Sequence, residues 1–170
     1  MKQQNVYLIG MMGSGKSTVG KVLAERTKLK FIDVDKEIEN VMDMTIAQIF
    51  NEYGEKHFRL LETTFFKERI KNNHIIYSTG GGIILDKDNQ TIFKESGKTF
   101  FLDCSPVTIL ERLKKDNKKR PLLNNNPKLT ISKLYKDRHS LYKSCSDYTI
   151  DTDEATPNDI ASKIEEYLSV

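Results

Sequence analysis

The sequence predicts an α/β protein of three layers, in which helices cover both faces of a central five-stranded parallel sheet. Five short runs are rich in β-branched and aromatic residues, and helical patterns separate them along the chain. The predicted strands are 5–9, 30–34, 74–79, 98–103 and 148–150. The predicted helices are 16–27, 46–53, 58–71, 106–115, 131–144 and 157–168. Strands and helices that alternate in this way are joined by crossover connections, which make the sheet parallel.

Two of the predicted helices begin with recognisable capping sequences. Ser105 and Thr156 each precede a proline, and a hydroxyl cap followed by proline is typical of a helix amino terminus. Two stretches depart from the alternation. Residues 35–61 form a helical excursion between the second and third strands, and residues 117–128 are polar and predict a mobile excursion.

The length and composition predict one water-soluble domain over residues 1–170. The chain has 38% hydrophobic and 30% charged residues and a net charge of +3. No apolar run approaches the ~20 residues of a membrane span, and the first residues lack the pattern of a secretory signal. We therefore expect a cytoplasmic protein that contacts no membrane, with a monomer as the default for a domain of this size.

The remaining composition excludes several classes of site. Cys104 and Cys145 have no spacing typical of a disulfide framework or a zinc site and are expected to be reduced and mostly buried. The three histidines, His57, His74 and His139, lack metal-binding spacing and are interpreted as incidental. A basic cluster between residues 114 and 120 is too short to predict a nucleic-acid surface.

A phosphate-binding loop follows the first strand and opens the first helix. The pattern Gly10-x-x-x-x-Gly15-Lys16-Ser17 stands in the strand and helix context that gives it a mechanism. Glycines allow the backbone to approach phosphates, Lys16 should reach the β- and γ-phosphates of ATP, and the Ser17 hydroxyl should bind Mg²⁺. The residues predicted to surround the nucleotide phosphates are Gly13, Ser14, Gly15, Lys16, Ser17 and Thr18. The loop alone does not distinguish a small-molecule kinase from a motor, a switch GTPase or a regulator.

Two carboxylates lie at the carboxyl end of the second predicted strand. Asp33 and Asp35 are two residues apart, so on a strand they would share one face and point toward the phosphate loop. Such carboxylates bind hydroxyls or hold water on magnesium, although Asp35 could instead cap a following helix. The third strand ends in Ser78 where a Walker B acid is expected, which leaves Asp33 as the predicted carboxylate for the ion.

Two further patterns point to an acceptor site. Arg59 and Glu62 are three residues apart on a predicted helix, so the carboxylate can hold the guanidinium, although a surface ion pair is the ordinary alternative. Gly80, Gly81 and Gly82 follow the third strand, where they form a flexible turn or allow close approach of a ligand to the backbone.

Taken in order, these pieces resemble the shikimate kinase family over nearly the entire chain. The motifs that carry the resemblance are the phosphate loop, Asp33-x-Asp35, Gly54-Glu-x-x-Phe-Arg59-x-x-Glu62, Gly80-Gly-Gly, Arg120-Pro-Leu-Leu and Arg138-x-x-Leu-Tyr142. The resemblance implies the fold of P-loop kinases and nucleoside monophosphate kinases. It also implies transfer of the γ-phosphate of ATP, with Mg²⁺, to the 3-hydroxyl of shikimate.

The resemblance also implies roles for individual residues. Arg59 and Arg138 would bind the acceptor carboxylate, Asp35 its ring hydroxyls, and a backbone N–H of Gly81 or Gly82 would complete the acceptor site. The segment 112–124 would form a lid. Its Arg120 would close over the phosphates and, with Lys16 and Asp35, would form the catalytic set.

The loop before the last helix departs from the family pattern. It is acidic where relatives often place an arginine near adenine, which leaves Arg112 and Pro157 as candidates for packing on the base. Gluconate kinases and nucleoside monophosphate kinases remain alternatives within the same fold. A nucleotide-binding module that contacts nucleic acid or a partner protein is the alternative outside the enzyme class.

Overall fold

The computed structural model describes residues 4–69, 73–115 and 126–169 of the chain. These residues form five strands: β1 Asn5–Ile9, β2 Lys30–Asp33, β3 Ile75–Ser78, β4 Gly97–Asp103 and β5 Tyr148–Asp151. They also form seven α-helices: α1 Lys16–Thr27, α2 Val34–Met42, α3 Ile46–Arg69, α4 Lys87–Ser96, α5 Pro106–Lys114, α6 Pro127–Cys145 and α7 Pro157–Ser169. A short 3-10 helix, Ile83–Leu85, lies between β3 and α4.

The five strands form one parallel sheet, as the sequence predicts. Their order is β2-β3-β1-β4-β5, so β1 lies in the centre and pairs with both β3 and β4. At the carboxyl end of the sheet, Asp33 of β2 pairs in register with Ser78 of β3. This register brings the ends of sequence-distant strands together beside the phosphate loop.

The sheet is covered on both faces, because alternate side chains of each strand enter different core clusters. In β1, Tyr7 and Ile9 pack on the side of α3, α4 and α6, whereas Val6 and Leu8 pack on the side of α1 and α7. This confirms the three predicted layers.

The second strand is shorter than predicted, and its end carries a helix cap. Val34 already belongs to α2, and the Asp33 carboxylate accepts a hydrogen bond from the backbone N–H of Lys36 at 3.4 Å. The placement of Asp35 on the strand was therefore wrong, because Asp35 lies in the first turn of α2. Asp33, and not Asp35, is the capping residue.

The two helices predicted at 46–53 and 58–71 are the two parts of α3. They meet at Gly54, whose φ of 81° and ψ of 168° are not helical. Few residues other than glycine adopt this conformation, so the chain bends there and continues as a helix. The bend sets the direction of the half that carries Arg59.

Several other boundaries differ from the prediction. The helix α4 was not predicted, because Ile92 and Phe93 are its only buried apolar residues; it begins at the side-chain cap of Asp86. The helix α6 begins earlier than predicted, because Asn126 accepts from the N–H of Leu129 at 3.2 Å and Pro127 follows. The end of the predicted mobile excursion is thus helical, while residues 116–125 lie outside the described residues.

Other local predictions are confirmed. Ser105 accepts from the N–H of Thr108 at 3.3 Å, and Thr156 accepts from the N–H of Asp159 at 3.2 Å, so both hydroxyls cap helices. Cys104 and Cys145 are free thiols. Within the described ranges, none of the helices combines the length and apolarity that crossing a membrane requires.

We expect Gly54→Ala to destabilise the fold by roughly 1–3 kcal/mol, because the added Cβ would be strained at this φ although no neighbouring atom obstructs it. Urea unfolding measures the change. Lys56→Ala, at an exposed position on the same helix, is the control and should change the free energy of unfolding little. Equal stability of the two variants would contradict a strained backbone at Gly54.

Candidate active site

One cavity of about 820 Å³ lies at the carboxyl end of the sheet. The phosphate loop and residues of α2, α3 and α6 line it. The predicted site residues that line it are Gly13, Gly15, Lys16, Ser17, Thr18, Asp33, Asp35, Arg59, Gly81, Gly82, Arg112 and Arg138. Residues predicted separately for a donor and an acceptor therefore line the same cavity.

The phosphate loop has the backbone that its glycines predict. Gly10, Gly13 and Gly15 all have positive φ, and α1 begins directly after Gly15. The Lys16 ammonium donates to the carbonyl oxygens of Gly10 at 2.9 Å and Met11 at 2.8 Å. The charge is thus held over the loop, at the amino terminus of α1, where positive potential attracts anions.

Three oxygen-bearing side chains meet at the edge formed by β2, β3 and the start of α1. The Ser17 hydroxyl donates to Asp33 Oδ2 at 2.6 Å and lies 3.1 Å from Ser78 Oγ. Among the described residues there is no cluster of three His, Cys, Asp or Glu side chains that could enclose a metal. One hydroxyl and one carboxylate suit Mg²⁺, which binds few protein oxygens and fills its other positions with phosphate and water.

Arg59 is held by two carboxylates from its own helix. It contacts Glu55 at 2.9 Å and Glu62 at 2.5 Å. The Glu62 side chain is 0% exposed, so the interpretation of this pair as an ordinary surface ion pair is wrong. The guanidinium lines the cavity with its position fixed by these two carboxylates.

Burial has opposite consequences for the two partners. Burial raises the pKa of Glu62 to about 7, more than the charge of Arg59 lowers it, and the charges of Asp35 and Glu55 raise it further. Burial lowers the pKa of Arg59, but the adjacent Glu62 and Glu55 carboxylates outweigh it and raise that pKa overall. Arg59 therefore stays charged, while Glu62 can take up a proton near neutral pH.

The glycine run gives space to these charged groups. A Cβ on Gly80 would overlap Glu62 Oε1 and lie 2.9 Å from Asp35 Oδ1, and a Cβ on Gly82 would overlap the Arg59 guanidinium. The close approach predicted from the glycines is thus to the side chains of the site itself. Glu62 Oε1 has no hydrogen-bond partner among the described residues, which fits its raised pKa.

The long helix α6 brings a second guanidinium to the same place. Arg138 Nη1 donates to the Gly81 carbonyl at 3.3 Å, and the Tyr142 hydroxyl donates to the same oxygen. Arg138 is 8% exposed and lines the cavity. Two arginines that are distant in sequence thus converge on the glycine run.

The residues predicted to contact adenine differ in their placement. Arg112 lines the cavity and donates to the carbonyl oxygens of Thr152 at 2.5 Å and Gly13 at 3.5 Å. Pro157 begins α7 and is not among the described residues that line the cavity.

Two other predicted residues are also not seen on the cavity lining. Ser14, predicted beside the phosphates, is buried and does not line the cavity. Arg120 lies outside the described residues, as does most of the predicted lid 112–124.

The sequence did not predict the aromatic residues that line the cavity, nor the hydrogen bond of Glu39 that fixes the start of α3. Phe50 and Phe58 line the cavity with ring centroids 5.1 Å apart. Glu39, also on the lining, accepts from the N–H of Ile46 at 2.9 Å and so fixes the start of α3. Phe58 stands in the motif beside Arg59, but only the bend at Gly54 brings it near Phe50.

A parallel sheet with a phosphate loop after its central strand, and a cavity that extends from that loop to two guanidinium groups, defines an ATP-dependent kinase of the P-loop fold. The family model for shikimate kinase matches residues 12–169. The chain belongs to the shikimate kinase family.

Individual relatives agree with this assignment. The chain is 43% identical to the shikimate kinase of Caldicellulosiruptor saccharolyticus over 162 residues, which cover 95% of this chain and 93% of that relative. The structure of a shikimate kinase from Acinetobacter baumannii in complex with shikimate is 37% identical, with a TM-score of 0.93, and the match covers 99% of this chain and 94% of that one. The shikimate kinase structure from Aquifex aeolicus is 33% identical, with a TM-score of 0.80 and coverage of 97% and 96%.

Glu62→Gln should change how stability depends on pH. The pKa of Glu62 in the fold, about 7, exceeds its ordinary value of 4.5, so the protonated form is the stabilising one. This stabilisation is complete below pH 4.5 and is lost as the pH rises through about 7. We expect the free energy of unfolding of the unaltered chain, relative to Glu62→Gln, to fall between about pH 5 and about pH 8 in urea titrations.

Glu55→Gln is the matched control, because it removes the exposed carboxylate from the same guanidinium. Its stability difference from the unaltered chain should vary less over this pH range. If the free energies of unfolding of the unaltered chain and Glu62→Gln differ by the same amount at about pH 5 and at about pH 8, the pKa of Glu62 is not raised.

Proposed function

We propose that the protein transfers the γ-phosphate of ATP to the 3-hydroxyl of shikimate, which yields shikimate 3-phosphate, ADP and a proton. The observation that carries this proposal is that the phosphate loop, Arg59 and Arg138 line the same cavity. A shikimate kinase that is 37% identical has a structure in complex with shikimate, which supports the choice of acceptor.

On the donor side, we assign the nucleotide phosphates to the loop Gly13 to Thr18. The hydrogen bonds that Lys16 makes to Gly10 and Met11 would pass to phosphate oxygens, which bear more negative charge than carbonyls. Arg112, fixed between Gly13 and Thr152 at that end of the cavity, is the proposed contact for adenine together with Pro157.

We assign Mg²⁺ to Ser17 and Asp33, whose oxygens are already 2.6 Å apart. The ion would neutralise charge on the phosphates when bound. Ser78, 3.1 Å from Ser17, would accept or donate a hydrogen bond to a water on that ion. To bind the ion, Asp33 would have to give up the hydrogen bond that it accepts from Ser17.

On the acceptor side, we assign the shikimate carboxylate to Arg59 and Arg138. A guanidinium donates two parallel hydrogen bonds to a carboxylate, and both groups are partly desolvated here, so the contacts are stronger than at an exposed surface. Asp35, with one oxygen close to Gly80, is placed to bind ring hydroxyls, and a backbone N–H of Gly81 or Gly82 would add a donor.

Asp35 is also the proposed acceptor of the proton that leaves the 3-hydroxyl. Phosphoryl transfer depends mainly on positioning and on charge stabilisation, which we assign to Lys16 and Arg120. Asp35 lines the same cavity as the phosphate loop and Arg59 and would orient the attacking oxygen.

We further propose that residues 1–170 act as a single kinase domain and a monomer, because one chain supplies both the donor and the acceptor residues. In this proposal, residues 35–61 form the acceptor-binding excursion, and residues 112–124 form a lid that carries Arg120 over the phosphates. Closure of such a lid would exclude water from the reacting phosphate. A cytoplasmic location accompanies this proposal.

A panel of acceptors tests the function. ADP formation, measured by a coupled assay with ATP and Mg²⁺, should require shikimate, and it should be slow with gluconate, with nucleoside monophosphates or without an acceptor. Turnover with gluconate or a nucleotide but not with shikimate would overturn the assignment. Hydrolysis of ATP that is equally fast without an acceptor would argue against a gated kinase.

Asp35→Asn tests the proposed base. The amide keeps the size and hydrogen-bonding oxygen of the carboxylate but accepts no proton, so we expect kcat to fall by roughly 10²–10⁴ while KM for shikimate changes little. Steady-state kinetics at saturating shikimate measure the effect. A kcat near that of the unaltered chain would remove Asp35 from the base role.

A further inference from the structure

Asp103, the last residue of β4, connects the sheet to the helix that carries Arg138. Its Oδ2 lies 2.8 Å from His139 Nε2, and its Oδ1 accepts a hydrogen bond from the Tyr135 hydroxyl at 3.2 Å. Both carboxylate oxygens therefore contact α6. None of these three residues lines the cavity, so the contacts are separate from the site itself.

The contacts are partly shielded from water. The side chains of Asp103 and His139 are 20% and 26% exposed. The His139 ring packs against Phe101 and Tyr135, with centroids 5.7 Å and 4.8 Å away. Burial and the negative charge of Asp103 raise the pKa of Tyr135 to about 12, so the tyrosine remains a donor to this carboxylate.

The contacts that Asp103 makes to α6 help to define the position of Arg138, which is adjacent to His139 on that helix. Arg138 precedes His139 and extends to the Gly81 carbonyl, which Tyr142 also contacts one turn later. A helix is rigid over this distance, so fixing two residues of one turn fixes its rotation and its height above the sheet. Asp103 belongs to β4, and β4 pairs with β1. The contacts of Asp103 therefore fix the position of α6 relative to the strand that leads into the phosphate loop.

We propose that Asp103 is a positioning residue that acts through His139 and Tyr135 to place the Arg138 guanidinium at the acceptor site. This inference rests on the proposed function, in which Arg138 binds the acceptor carboxylate. It also gives a role to His139, which the sequence analysis interpreted as incidental.

The backbone carbonyl of Asp103 is linked through Thr152 to Arg112, which lines the proposed nucleotide end of the cavity. The contribution of the Asp103 side chain can therefore be separated from that of its backbone. Its carbonyl accepts from the N–H of Thr152 at 2.8 Å and from the Thr152 hydroxyl at 3.0 Å. The carbonyl of Thr152 in turn accepts from Arg112. A side-chain substitution at Asp103 leaves these backbone contacts in place, so the nucleotide end should be unaffected.

Asp103→Ala should therefore raise KM for shikimate by about tenfold, because small displacements of a binding group reduce affinity strongly. The values of kcat and of KM for ATP should stay within about twofold, since Arg138 contacts a part of the acceptor that does not react and binds it alike in the ground and transition states. Steady-state kinetics with each substrate varied in turn measure this division.

Asp147→Ala is the matched control. Asp147 is also a carboxylate bound to β4, with Oδ2 accepting from the N–H of Thr99 at 2.8 Å, but near the start of that strand and away from the cavity. It should leave both KM values unchanged. If Asp103→Ala behaves like Asp147→Ala, or raises both KM values equally, Asp103 does not position Arg138.

His139→Ala gives an independent measurement, and it carries the test if Asp103→Ala does not fold. It should also raise KM for shikimate, and the double variant should be no worse than Asp103→Ala alone, because Asp103→Ala already removes the contact that His139→Ala breaks. Additive effects would contradict the proposal. Turnover of shikimate by the unaltered chain tests the function separately, so a failure of that activity is distinguishable from a failure of the role of Asp103.

Discussion

The parallel pairing of β1 with β3 and β4 is the constraint on which the site depends. Because all five strands run in one direction, their carboxyl ends share one edge of the sheet. That edge carries the phosphate loop after β1, Asp33 at the end of β2, Ser78 at the end of β3, and the glycine run that follows Ser78. If any of these strands shifted by one residue, its side chains would point to the opposite face, and Ser17, Asp33 and Ser78 would no longer meet.

The part of the cavity proposed to bind the acceptor depends on a different interaction, the burial of charge. Glu62 is completely buried beside Arg59, and removing one partner of such a pair leaves the other desolvated and uncompensated. The glycine run makes the arrangement possible, since side chains at Gly80 and Gly82 would occupy the space of these groups. The same glycines therefore explain why helix α3 can approach the sheet closely enough to present Arg59.

The difference between the two halves explains what could be predicted from the sequence. The phosphate loop is one continuous segment whose residues have fixed local roles, so its geometry followed from spacing. Asp35 was assigned to the cavity correctly but to the wrong element, because the capping preference of Asp33 ended the strand one residue earlier than predicted. The burial of Glu62 could not be predicted from the sequence. It depends on Gly80, which is 18 residues away along the chain, and on the bend at Gly54, whose backbone conformation is not helical. His139 gave no signal, because its partner Asp103 lies 36 residues away.

The division between sheet and helices also has a consequence for specificity. The residues proposed to bind the nucleotide phosphates and the metal lie on or next to strand ends, where a ladder of backbone hydrogen bonds fixes them. Arg59 and Arg138, the residues proposed to bind the acceptor, lie on α3 and α6, which are placed by side-chain contacts such as those of Asp103 and Glu39. Substitutions in those contacts can move an acceptor group without disturbing the phosphate loop. A P-loop kinase of this type can therefore change its acceptor through the packing of its helices while its chemistry toward ATP stays the same.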